Sequence, residues 1–202
     1  MKLLSFDTSG RALSIALYNG EKKIGGYVSP ENGRRASALV SEIDKLLRKH
    51  RTPVSKLGAL AVCVGPGSFT GLRIGVTAAK MLSHLLTIKA VAVSSLEAVA
   101  AGSSADAALV LLDAGRGQVY AAAFRRKKGA MAPAGRAAVM TRERALKRYG
   151  AGLAVIENIR PDADKVARAA IRAIREKKFT AAARLEPLYV YPRDCNVTRP
   201  KK

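Results

Sequence analysis

The side chains able to support chemistry here are Asp7 and Asp113, His50 and His84, Cys63 and Cys195, and the run Gly65-Pro66-Gly67-Ser68-Phe69-Thr70-Gly71-Leu72-Arg73-Ile74-Gly75. Asp7 and Asp113 each start a turn after an apolar strand. Acids so placed could hold Mg²⁺ for a nucleotide-using enzyme. They could equally accept backbone N–H groups in an Asx-turn. The two histidines are isolated, with no His-Glu-x-x-His and no other closely spaced ligand set. His84 falls on the polar side of a helix and reads as a surface residue. Ser68 lacks the Gly-x-Ser-x-Gly flanks of a nucleophile elbow and has no base beside it. Cys63 lies in an apolar run and reads as a small core residue. No metal site, catalytic residue or structural disulfide is expected from these groups.

The glycine run sits between two clear elements. Leu57 to Val64 is apolar and uncharged, which predicts a buried strand. Leu72 to Leu86 follows a helical pattern. The run is therefore a strand, a tight turn and a helix start. Gly65, Gly67 and Gly71 permit close backbone approach, Pro66 stiffens the turn, and Ser68 or Thr70 can cap the helix. It is neither a P-loop nor the dinucleotide fingerprint, because the Gly-Lys-Ser/Thr ending and the glycine spacing are missing. An anion could sit at such a helix N-terminus. A packing turn and a ligand or partner loop both remain open.

The remaining elements follow in order. Leu3–Phe6, Leu13–Tyr18 and Lys23–Val28 read as strands, with Asn19-Gly20 as a hairpin turn. Pro30–Gly33 is a loop. Arg34–His50 is an amphipathic helix with Leu39, Val40, Ile43, Leu46 and Leu47 on one stripe. In the helix after the glycine run, the apolar arc spans ~220°, twice what one core needs. Part of it, with the neighbouring Arg34–His50 helix, is expected to meet a partner: Leu39, Ile43, Leu72, Ile74, Met81 and Leu85 are the candidates. Ile74 and Met81 lie at the arc's edge and are the expected exposed anchors, with Leu82 and Leu86 in the core. Arg73, Thr77, Lys80, Ser83 and His84 face elsewhere.

Ala90–Val93 is a strand and Ser94 or Ser95 caps a further helix. Residues 102–106 are the expected lobe boundary, dividing 1–103 from a smaller 104–202 whose last segment can return to the first lobe. Ala107–Leu112 and Gln118–Phe124 are strands, Arg125–Gly129 a charged hairpin tip. Residues 130–160 carry little pattern beyond a basic helix over Thr141–Tyr149 and a strand near Gly152–Ile156. Pro161 and Asp162 open a helix to Lys178, packed through Val166, Ala167, Ala170, Ile171 and Ile174. Leu185–Tyr191 is extended.

Composition bounds the function. At 49% hydrophobic the chain can bury a core, and no apolar run reaches the ~18 residues that span a membrane. Met1–Asp7 places an acid too early for a signal peptide, so the expected location is the cytoplasm. The net charge is +21, with 14 Lys/Arg in the first hundred residues and 22 in the rest. Such a charge favours nucleic acid or an acidic partner, or reflects a general basic bias.

Five ordered motifs carry a resemblance: Phe6-Asp7-Thr8-Ser9, the glycine run, Ser94-Ser95-Leu96-Glu97-Ala98, Asp113-Ala114-Gly115-Arg116-Gly117-Gln118-Val119-Tyr120, and Glu186-Pro187-Leu188-Tyr189-Val190. Together they resemble the TsaB (YeaZ) family, densely over residues 1–124. The resemblance implies an α/β, two-lobed actin-like ATPase (ribonuclease H-like) fold. It implies a non-catalytic scaffold that supports the catalytic subunit making threonylcarbamoyladenosine beside the tRNA anticodon. Implied partners are a TsaD-like actin-fold homologue, a TsaE-like ATPase and, in the assembly, tRNA. A homodimer is implied when the chain is alone. ATP and a metal would be used on other subunits, with no cofactor on this one. The family's motif loops map onto Asp7, Thr8, Ser9, Gly65, Pro66, Gly67, Ser68, Gly71 and Arg73. Two family features are absent: Ala36-Ser37 replaces a His-Ser pair, and Tyr191 stands where relatives carry Arg, with Arg193 two further on. The competing readings are a small actin-fold ATPase or kinase using Asp7 and Asp113, and a stand-alone basic tRNA-binding module.

Overall fold

The computed structural model describes residues 1–31 and 36–190. The expected helix start at Arg34, and Tyr191, Arg193 and Cys195, lie outside the described residues.

The chain opens as an antiparallel ribbon: β1 (Lys2–Asp7), β2 (Ser14–Asn19) and β3 (Lys22–Val28). The two-residue loop is Gly20-Glu21, with Gly20 at φ 59°; Asn19 still pairs with Lys22, so the turn lies one residue beyond the Asn19-Gly20 expected. Two strands then join in parallel, β4 (Leu57–Gly65) beside β1 and β5 (Lys89–Ser94) beside β4, giving the order β3-β2-β1-β4-β5. Parallel neighbours need crossovers. These are α1 (Leu39–Lys49) before β4 and α2 (Phe69–Leu85) before β5.

Both crossover helices cover one face of the sheet. Leu39, Ile43, Leu46 and Leu47 of α1 and Val76 of α2 pack with Leu4, Phe6, Leu60 and Val62. The other face carries the smaller Ala16, Ala59, Ala61 and Cys63, on which α5 (Ala163–Arg175) lies through Val166, Ala167 and Ala170. β4 is thus buried on both sides, which accounts for its uncharged sequence. Asp162 caps α5, its carboxylate accepting from Lys165 N at 2.8 Å. The helix is tied down where Ser5 Oγ donates to Ala163 O at 2.8 Å and Ala163 N donates to Ser14 Oγ at 2.9 Å.

The second sheet has β10 (Ala154–Ile156), β6 (Ala107–Gly115), β7 (Gln118–Lys127) and β8 (Ala130–Pro133) in that order, with β9 (Ala138–Thr141) also on β7. α3 (Ser95–Ala101) packs Leu96 and Val99 on one face against Val110 and Phe124. α4 (Arg142–Tyr149) packs Ala145 and Leu146 on the other against Leu109 and Leu111. The expected boundary at 102–106 falls between α3 and β6. α5 and the following segment nevertheless lie on the first sheet: Thr180 N donates to Ala90 O and Leu188 N to Val64 O, at 2.8 and 2.7 Å. Among the described residues no helix is long and apolar enough to cross a membrane.

Candidate functional site

The glycine run is a packing seam. Gly71 and Gly75 are four residues apart and share one face of the α2 start, and Gly67 lies just before the cap on the same side, against Ser9. That face meets the turn after β1 at backbone contact. A Cβ on Gly67 would stand 2.7 Å from Ser9 O, one on Gly71 would overlap Thr8 O, and one on Gly75 would overlap Thr8 Oγ1. Thr8 Oγ1 donates to Gly71 O at 2.7 Å and Ser68 N donates to Ser9 O at 2.8 Å. Ser68 caps the helix, its Oγ accepting from Gly71 N at 3.3 Å. The N–H groups of Ser68 and Gly71 are thereby engaged within the chain. The run also fixes the direction in which Phe69 and Arg73 leave the protein.

Asp7 lies at the inner end of this seam, 1% exposed, its Oδ1 accepting from Ser9 N at 2.9 Å. Burial pushes its carboxyl above the ordinary carboxylate range. Around the same turn the Cys63 thiol lies 3.1 Å from Ser95 Oγ, and Ser95 Oγ donates to Pro66 O at 2.6 Å. Burial raises the Cys63 thiol pKa as well, so Cys63 is a protonated core group at neutral pH. Sequence reasoning treated Ser94 and Ser95 as interchangeable caps. Ser94 is the cap, accepting from Glu97 N at 3.1 Å, while Ser95 is buried and locks the turn. Asp113 is exposed, its Oδ1 accepting from Gly115 N at 2.7 Å. Both aspartates are therefore Asx-turn acceptors. Among the described residues no group of three or more His, Cys, Asp or Glu could hold a metal ion.

Asp7→Asn tests this assignment. The folded carboxyl titrates above its ordinary value of 3.8, so the fold takes up a proton that the unfolded chain releases. Stability contributed by Asp7 thus falls as pH rises from the unfolded value through the folded one. Asn keeps the acceptor for Ser9 N and carries no charge. The variant should melt higher than wild type at neutral pH and lose that advantage below the ordinary aspartate value. Thermal melts across that range check it; identical pH dependence in the two proteins would contradict a buried Asp7.

The outer side of α2 is apolar and open. Phe69, Met81 and Leu85 are 54%, 53% and 69% exposed. Met81 and Leu85 are neighbours at i, i+4, and exposed Arg73 and Thr77 lie between them and Phe69 on a row that winds about 40° per step around the helix. Arg73 lies over the Phe69 ring at 3.8 Å, and the Tyr189 ring stands 5.7 Å from it. Single exposed apolar residues are ordinary, whereas adjoining ones, such as Met81 with Leu85 and Phe69 with half-exposed Tyr189, mark candidate contact surface. Of the expected anchors, Met81 and Leu85 are exposed and Ile74 is half-buried.

The placement of Leu39, Ile43 and Leu72 at a partner surface is corrected: all three are buried, the first two in the core under α1. A single helical wheel gives the width of the apolar arc but not which edge meets the sheet. Leu82 packs against that core, and Leu86 is half-buried. Ser83, expected to face outward, is buried because its Oγ donates to Ile88 O at 2.7 Å. His84 is exposed. On α1 only Val40 is an exposed large apolar residue, beside exposed Asp44, Lys45 and Arg48.

A family model described as "TsaD: tRNA N6-adenosine threonylcarbamoyltransferase" matches residues 12–183. The chain is similar to the tRNA threonylcarbamoyladenosine biosynthesis protein TsaB of Bacillus subtilis, 37% identical over 131 residues, covering 64% of this chain and 57% of that protein. It is similar to TsaB of Escherichia coli, 31% identical, covering 62% of this chain and 56% of that protein. It thus spans little more than half the length of these relatives. The solved structure of YeaZ from Pseudomonas aeruginosa matches at TM-score 0.81 and 25% identity, covering 94% of this chain and 99% of that one. The two sheets with their five helices are accordingly an α/β fold of the actin-like, ribonuclease H-like type. The chain belongs to the TsaD (tRNA N6-adenosine threonylcarbamoyltransferase) family, in its TsaB (YeaZ) branch.

Proposed function

We propose that this chain is a non-catalytic partner subunit in the formation of threonylcarbamoyladenosine in tRNA. It pairs through the outer side of α2 with a catalytic, TsaD-like actin-fold homologue. One observation carries this reading: Met81 and Leu85, neighbours at i, i+4, and Phe69 at the helix start are exposed apolar residues on a helix whose first turns are locked to the β1 turn by the glycine seam. A rigid, preorganised apolar surface is what subunit association needs. The relatives' names supply the pathway. Asp7, buried and bonded to Ser9 N, is poorly placed to hold a metal–nucleotide complex, which argues for a scaffold. ATP and metal then belong to other subunits, a TsaE-like ATPase among them, with tRNA as the shared substrate in the cytoplasm. Without the catalytic subunit, the same surface would pair two copies about a two-fold axis.

Affinity purification of the full chain from its own host, with mass spectrometry, tests this. A TsaD-like subunit should co-purify in equal amount. Depletion of the chain should lower threonylcarbamoyladenosine in tRNA hydrolysates. Absence of any actin-fold partner, together with metal-dependent ATP turnover by the pure chain that Asp7→Ala abolishes, would overturn the scaffold reading.

A further inference from the structure

Two adjoining hollows lie along the outer side of α5. The first, of about 600 Å³, is bounded by the β2–β3 turn, α5 and the β7–β8 hairpin. The second, of about 430 Å³, continues past Arg172 toward Lys127, Lys128 and Lys178. Arg172 lines both, so they form one trough. Eight Lys/Arg side chains line it against three carboxylates.

The carboxylates are already used. Asp164 is 2.6 Å from Lys23, Glu21 pairs with Arg175, and Glu176 is 2.6 Å from Lys178. Arg172 pairs with Glu97, outside the trough, and its buried Nε has no partner among the described residues. Arg168, Lys127 and Lys128 have no carboxylate at ion-pair distance among the described residues, and all three are exposed. The surplus charge of the chain thus has a place, and a concave one.

We infer that this trough binds the phosphate backbone of RNA. One small anion could use the cations on one side of Arg172. A run of phosphates spans both hollows and engages Arg168 on one side and Lys127 and Lys128 on the other. Guanidinium and ammonium groups are the usual donors to phosphate oxygens. The trough lies on the α5 face of the first sheet, while α1 and α2 cover the opposite face. RNA and a partner subunit can therefore be held together. The choice of RNA among polyanions rests on the subunit role proposed above.

Binding of an unmodified tRNA transcript to the full chain, followed by fluorescence anisotropy across salt concentrations, tests the inference. The triple variant Lys127→Gln, Lys128→Gln, Arg168→Gln is compared with Lys49→Gln, Arg51→Gln, Lys56→Gln. Each removes three exposed cations, the second set on the α1 side. The trough variant should weaken binding by about tenfold or more, and flatten the log–log salt slope by roughly 2–3. The α1-side variant should change the slope by less than about 1. Lys127→Arg, Lys128→Arg, Arg168→Lys should bind like wild type. Equal losses in both triple variants would mean net charge alone, and no tRNA binding would remove the site; either overturns the inference. So would saturable binding of tripolyphosphate without tRNA. Pairing with the TsaD-like subunit is measured on the same variants. Its survival while RNA binding falls supports the trough, and its failure in wild type strikes the subunit role alone.

Discussion

Met81→Asp should separate the chain from its partner subunit and leave the lone chain folded. Met81 is half-exposed on the outer side of α2, so the substitution should change monomer stability by no more than about 0.5–1 kcal/mol. Part of that is the unfavourable placement of an acid near the helix C-terminus. In the complex the same carboxylate would lose its water against an apolar surface. Truncating a central interface residue costs about 2–4 kcal/mol, and a buried unpaired charge costs as much or more. Affinity should therefore fall on the order of 100-fold or more. Met81→Lys should do the same with a charge that suits the helix end, which isolates desolvation from helix electrostatics. Size-exclusion chromatography with light scattering reads the assembly and circular dichroism the fold. An unfolded Met81→Asp chain would place Met81 in the core, and intact assembly would remove it from the interface.

Gly71→Ala should be the most damaging Gly→Ala change among the described glycines, since its Cβ falls deepest into backbone. In an ordinary helix position the substitution would gain about 0.5–1 kcal/mol. Here the added Cβ falls on Thr8 O, a backbone atom that cannot swing away as a side chain would. Overpacking of this kind costs about 3 kcal/mol or more, which outweighs the propensity gain. For a chain of this size that lowers Tm by roughly 6–12 °C. Relief requires α2 to move off the β1 turn, taking Phe69 and Met81 with it, so pairing should weaken too. Gly135→Ala, with nothing near its new Cβ, should be nearly neutral. Thermal melts of the two variants decide it: a mild Gly71→Ala would mean that the seam is not close-packed.

The sequence was most informative where local chemistry decides structure. Asn19-Gly20 signalled the hairpin to within one residue, the uncharged Leu57–Val64 signalled a buried strand, and of the two caps the sequence offered, Ser68 and Thr70, Ser68 starts α2. Asp7 was legible as an Asx-turn residue, since its carboxylate needs only Ser9 N two residues on. Long-range placement was not legible. α5 carries an apolar stripe that would serve either sheet. Only the row of small residues opposite it, Ala16, Ala59 and Ala61, selects the first. The pairing of Phe69 with Tyr189 joins residues 120 apart and leaves no local pattern. β8 and β9 are only four residues long, too short for alternation to stand out: Ala130–Pro133 has no β-branched residue, and Ala138–Thr141 has only Val139 and Thr141. The wide arc on α2 pointed Leu72 outward, and the expectation that the neighbouring helix packs beside it did the same for Leu39 and Ile43. The structure divides that arc between buried Leu72 and Val76 and exposed Met81 and Leu85.

The central claim is that the outer side of α2 is where this chain meets its catalytic homologue. Hydrogen exchange of the wild-type chain tests it most directly, with and without the TsaD-like subunit from the same host, at a dilution where the chain alone sediments as a monomer. Exchange over residues 73–85 should slow on adding the subunit, with α5 and the β7–β8 hairpin unchanged. Slowing confined to α5 and that hairpin, with α2 exchanging as before, would contradict it.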